Sequence, residues 1–250
     1  MSLMDLETEG LYEVIGRDTR VRVSRNEITR PPYRYICNLE YDGQGICTGT
    51  LIGPRTVLTA GHCVTGMDAS RMRVIPGRYG MLEPLPATAG TALRRMPGRD
   101  IGIVHLRDAI GTRVGFWTRQ ARATRADPTG ASISAAALPQ RAGTLPVNVC
   151  GYPGDKCIAV GRPPRQQCAT HQYRAFNRTV RLVGNILEYA NDTFPGMSGS
   201  PVWVRRHPSM GGRVLVAVHV SGDSPATAGR ANRGERITQD ALRWIVANLR

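Results

Sequence analysis

The sequence predicts an all-β protein: two six-stranded antiparallel β-barrels packed against each other, followed by one C-terminal α-helix. Three observations predict it. Short runs rich in β-branched and aromatic residues recur along the 250 residues, and 28 glycines and 17 prolines are spread between them. The runs form two series of similar length, separated by a turn-rich stretch. Only the last stretch of the chain has helical spacing.

Taken in order, residues 1–13 are acidic and unpatterned, and read as a tail or propeptide. The runs "YRYICNLEY", "GICTGTLIG" and "RTVLTAGHC" follow, with "DGQG" and "GPR" between them; glycine between β-rich runs marks hairpins. "MRVIPGRYG" and "DIGIVHL" complete a first barrel over 14–118. Residues 119–144 are small, polar and turn-rich, and read as a connection. "PVNVCGYPG", "VRLVGNILEYA", "SPVWVRR" and "RVLVAVHVSG" form a second barrel over 145–236, with 205–212 as an extended hairpin. In 237–250, Ile237, Leu242, Ile245, Val246 and Leu249 share one helical face, and Thr238 stands at the capping position.

Composition narrows the function. Hydrophobic content of 41% suffices for a real core, and no apolar run reaches the ~18 residues a membrane span needs. The net charge of +14 comes almost entirely from arginine, Lys156 being the one lysine. These arginines are scattered, without a dense stripe or interleaved aromatics, so nucleic acid is not the expected partner. The six cysteines show no C-x-x-C pair, which favours disulfides in an oxidising compartment over a metal centre. Residues 1–10 lack the basic start and apolar stretch of a signal peptide. A secreted or periplasmic location therefore implies a signal already removed. No cofactor or metal is expected.

Two short motifs carry chemistry. In "PGMSGSP", flanking glycines let the chain turn so that the Ser198 hydroxyl is presented while the Gly196 and Ser198 N–H groups point at one spot, as an oxyanion hole requires. Ser200 is the rival nucleophile, but Pro201 commits that position to a strand. A serine nucleophile needs a base, and the base needs a carboxylate to orient it. His62 in "TAGHC" is the candidate base, and Asp100, at the mouth of the strand "DIGIVHL", is the candidate carboxylate. Asp108 and Asp155 are the alternatives. The chain order His, Asp, Ser matches one known triad order.

"TAGHC", "DIGIVHL" and "GMSGSP" together resemble the chymotrypsin-like serine peptidases, and "VIGRDTR", "PYRYICNL" and "GYPGDK" narrow the resemblance to the bacterial glutamyl endopeptidases. It runs from about Val14 to the C-terminal helix. The resemblance implies a monomeric, secreted endopeptidase made as a zymogen and acting on polypeptides. It also implies a disulfide between Cys47 and Cys63 that fixes the loop carrying His62. Cys157 and Cys168 bracket a proline-arginine loop and suit a local bridge, which leaves Cys37 with Cys150 as an inter-barrel staple.

The specificity signals conflict. Asp192 stands where relatives that cut after arginine or lysine carry their pocket acid. Thr193 and His219 stand where glutamyl endopeptidases bind the substrate carboxylate, and a hydroxyl and an imidazole can both donate to one. Three of the eight glutamates lie in the tail, and Glu13 directly precedes Val14; cleavage there would free Val14, whose amine helps build the glutamate site in the resembled branch. Cleavage after glutamate is the favoured reading, with cleavage after arginine or lysine, or a catalytically dead peptide-binding relative, as alternatives. Two departures stand out. Met197 replaces the aspartate with which digestive relatives pair the new amine, so that activation device is excluded; Val220 and Ser221 replace the usual Trp-Gly.

Overall fold

The computed structural model describes residues 14–118, 131–135, 138, 145–205, 212–222 and 231–250. A short strand, β1 (Val21–Arg22), precedes six longer ones: β2 (Ile36–Tyr41), β3 (Gln44–Gly53), β4 (Thr56–Ala60), β5 (Met72–Pro76), β6 (Thr88–Arg95) and β7 (Ile101–Leu106). These six close an antiparallel barrel in the order β2-β3-β4-β7-β6-β5. Its strands are buried along almost their whole length at β2, β4 and β7, which accounts for their near-continuous apolar runs.

After the short helix α1 (Gly111–Val114) comes β8 (Ser132–Ile133), then β9 (Pro146–Gly151), β10 (Cys157–Val160), β11 (Arg165–Cys168), β12 (Tyr173–Val183), β13 (Ile186–Tyr189), β14 (Pro201–Arg205), β15 (Arg213–Ser221) and β16 (Asn232–Arg236). Six of these form the second barrel, in the order β12-β13-β16-β15-β14-β9, closed by pairing of β9 with β12. The hairpin β10–β11 stands apart. The fold is thus the expected pair of six-stranded antiparallel barrels with few helices.

Two elements join sequence halves in ways the β-rich runs do not announce. β1 pairs with β12, so the N-terminal segment lies against the second barrel although it precedes the first. β8, inside the stretch read as a connection, runs parallel to β15. Most of 119–144, all of 1–13 and the centre of 205–212 lie outside the described residues. The final helix, α2 (Gln239–Ala247), begins at Thr238, whose hydroxyl accepts the Ala241 N–H at 3.3 Å. It comes after the second barrel but packs Ala241 and Ile245 into the apolar cluster of the first. The His105 ring meets the Asn248 carbonyl at 2.9 Å. One segment therefore fastens the two barrels.

Cys47–Cys63 and Cys157–Cys168 are bonded as expected. The Cys37–Cys150 staple is not formed, and both are buried free thiols. Each has another partner: the Cys37 thiol donates to the Tyr35 carbonyl at 3.5 Å, and that of Cys150 to Gln172 Oε1 at 3.6 Å. Gln172 spans the seam in place of the staple, its amide donating to the carbonyls of Tyr33 and Ile36 and to the Tyr152 hydroxyl. Burial pushes both thiols well above their usual range.

Candidate active site

Strand register brings His62 and Asp100 together. β4 and β7 are antiparallel with Ala60 opposite Ile101, so Gly61 and His62, leaving β4, emerge beside Asp100, entering β7. The Asp100 carboxylate then takes two bonds from one residue: the His62 backbone N–H at 2.7 Å and ring Nδ1 at 2.8 Å. The first fixes the loop and the second fixes the ring. Burial would raise the Asp100 carboxyl, but the His62 bonds and nearby Arg95 outweigh it and hold the group below its usual range. Gly61 has no room for a side chain; a Cβ there would lie 2.9 Å from Asp100 Oδ1. The alternatives are placed differently. Asp108 binds the Thr88 hydroxyl, and Asp155 pairs with Arg20 and Lys156.

The Ser198 loop is held from both barrels. The Thr48 N–H, on β3, donates to the Ser198 carbonyl at 2.8 Å, and the Thr48 hydroxyl donates to the Gly196 carbonyl at 2.8 Å while accepting the Tyr152 N–H at 3.0 Å. On its other side, the Gly199 N–H donates to the His219 carbonyl and the His219 N–H to the Ser200 carbonyl. Gly199 has φ +84° and Gly196 φ +95°. A Cβ on Gly199 would fall 1.9 Å from the Thr48 carbonyl, and one on Gly196 would fall 2.5 Å from the Tyr152 carbonyl. The two glycines are therefore required by backbone contact as well as by dihedral. Met197 is fully buried in the second core, so the position occupied by an acid in digestive relatives here serves packing.

Of the candidate pocket residues, Asp192 is 1% exposed and faces the N-terminal segment. Its Oδ1 accepts the Ile15 N–H and its Oδ2 the Thr19 N–H, both at 2.7 Å, and the Thr19 hydroxyl adds a third bond. Val14 thus lies one residue from the atom that Asp192 holds. The adjoining Arg20 binds Asp18 and Asp155 in a bidentate manner and lies 5.6 Å over the Phe194 ring. The segment 15–20 is in this way anchored on both sides of Thr193. Among the described residues the buried Thr193 hydroxyl has no hydrogen-bond partner. His219 is fully buried, and its Nδ1 lies 2.6 Å from the Tyr189 hydroxyl. Burial, reinforced by the nearby His62 ring, lowers its pKa to about 3, so the ring is neutral at ordinary pH.

Among the described residues, Cys47, His62 and Cys63 form the one cluster with metal-ligand types in reach of one another. Both sulfurs are committed to the disulfide and have no thiolate to offer. Sequence reasoning missed Thr48, Tyr189, Arg99 and Glu235. The last two meet across the barrels, with Arg99 Nη2 2.7 Å from a Glu235 oxygen.

Comparison with known proteins accords with this geometry. The family model described as Trypsin matches residues 22–245. The chain is 33% identical over 245 residues to the Glutamyl endopeptidase of Bacillus licheniformis, covering 93% of this chain and 67% of that protein. It is 30% identical over 260 residues to a Bacillus subtilis protein named Extracellular metalloprotease, covering 96% and 71%. A solved structure of Glu endopeptidase in complex with MPD superposes with a TM-score of 0.69 at 25% identity, over 94% of this chain and 98% of that one. The chain belongs to the trypsin-like family of serine endopeptidases.

Proposed function

We infer that this peptidase is secreted and cuts polypeptides after glutamate, using Ser198, His62 and Asp100 as its triad. In this reading Ser198 Oγ attacks the scissile carbonyl carbon and His62 Nε2 takes its proton. Asp100 holds Nδ1–H and stabilises the imidazolium, while the Gly196 and Ser198 N–H groups bind the oxyanion. The intermediate collapses as His62 passes the proton to the departing amine, leaving an acyl-serine. Water, deprotonated by the same imidazole, then releases the acid.

The observation that carries the glutamate reading is Asp192. An acid that selects arginine must face the pocket unencumbered, whereas both Asp192 oxygens already accept hydrogen bonds from Ile15 and Thr19. The unpartnered Thr193 hydroxyl supports the same reading, since a buried donor without a partner is costly and a substrate carboxylate would supply one. Secretion is supported by the two disulfides and by the extracellular name of one relative. A fluorophosphonate probe, which reacts only with an activated serine, tests the catalytic part. The parent protein is expected to be labelled at Ser198, and Ser198→Ala to be neither labelled nor active. Retained peptide hydrolysis by Ser198→Ala would overturn the assignment.

A further inference from the structure

Asp100 is held from two sides. Its carboxylate belongs to His62, but its backbone N–H donates to Glu235 Oε1 at 3.3 Å, and Glu235 lies on β16 of the other barrel. The second Glu235 oxygen takes Arg99 Nε at 2.7 Å, and Arg99 goes on to the Arg236 carbonyl at 2.8 Å and the Thr238 hydroxyl at 3.3 Å. The side chains of Arg99 and Glu235 are 11% and 10% exposed, so this is a nearly dry ion pair with its remaining valences filled. Buried pairs of this kind add little net stability over apolar packing, and in some proteins they specify one arrangement of the groups they join. The arrangement specified here is that of the residue which orients the base.

We propose that Glu235 is a positioning residue for catalysis: from the second barrel it fixes the backbone of Asp100, and through it the His62 ring, so that triad geometry depends on correct docking of the two barrels. The inference rests on the triad reading above. Glu235 touches neither substrate nor His62 and acts only through Asp100. Three substitutions separate its possible roles. Glu235→Asp keeps the charge and can still meet Arg99, but is one methylene too short to reach the Asp100 N–H as well. Glu235→Gln keeps an oxygen of the right reach without the charge. Glu235→Ala removes both.

Steady-state kinetics on a glutamyl peptide, with melting temperature measured alongside, decide the matter. Glu235→Ala and Glu235→Asp are expected to lower kcat by about tenfold or more, toward the roughly hundredfold that a 1 Å misplacement of a catalytic group can cost, with KM within about twofold of the parent. Glu235→Gln is expected to recover most of kcat. If Glu235→Ala does not fold, the Asp and Gln pair still decides. Parent-like kcat in Glu235→Asp, or loss of melting temperature with kcat retained in all variants, overturns the proposal. Fluorophosphonate labelling of the parent separates the two levels. A labelled, active parent with insensitive Glu235 variants sinks this inference alone, whereas an unlabelled, inactive parent sinks the triad reading and this inference with it.

Discussion

Thr48 shows how much one side chain can do between two barrels. Its N–H and its hydroxyl hydrogen bind two carbonyls of one loop of the second barrel, at Ser198 and Gly196, and its hydroxyl oxygen binds the Tyr152 N–H at the end of β9. Thr48→Val keeps the shape and the N–H but strands the Gly196 carbonyl and the Tyr152 N–H in a buried place. The expected cost is about 1–3 kcal/mol of stability, together with a fall in kcat, because the unsupported carbonyl belongs to the proposed oxyanion loop. Thermal unfolding and steady-state kinetics check this, and a variant with parent values for both would refute it. His62, Asp100 and Ser198 are legible as candidates in the sequence because each lies in a motif whose local backbone demands, glycines above all, are written beside it. Thr48 and Glu235 were not, since their meaning arises only when residues far apart in the chain face each other. At Asp192 the distance from Ser198 suggests a pocket acid, and the fold adds what the sequence does not show, Ile15 and Thr19 on its oxygens.

At the scale of elements, the strands were legible wherever apolar and β-branched residues run between glycines, as in β2, β4, β7 and β15. The short strands β1 and β8 were not. Two residues are too few for a periodic signal, and both owe their conformation to the partner strand each lies against. The helix appeared in sequence as 237–250 and in structure as Gln239–Ala247, because Thr238 caps it and its final residues turn back to the start of β4. There the Thr56 hydroxyl accepts the Arg250 N–H at 2.8 Å. The cysteines illustrate a different limit. The even count suggested three bridges, yet β2 and β9 hold Cys37 and Cys150 as thiols, with Gln172 bonded across the seam. A thiol reagent is therefore expected to find no reactive sulfhydryl in the native protein and two after unfolding without reductant. Two thiols reactive in the native state, or none after unfolding, would contradict this arrangement.

For the whole molecule, the two barrels divide the labour. In the proposed mechanism the first supplies the base and its carboxylate, from the ends of β4 and β7. In the same mechanism the second supplies the nucleophile's loop and, through Glu235, support for the first, and it buries His219. The N-terminal segment, seated on Asp192 and clamped by Arg20, links the start of the described chain to the wall beside Thr193. A basic chain with a net charge of +14 would also draw acidic peptides toward the molecule by long-range attraction, an effect that salt weakens. The central claim is that the pocket receives a carboxylate, and one measurement tests it most directly: incubation with a mixed peptide library, with the chain both intact and beginning at Val14, and mapping of every cut site by mass spectrometry. Cuts concentrated after glutamate, stronger when Val14 is the first residue, are predicted. Cuts after arginine or lysine would contradict the account and return Asp192 to the pocket.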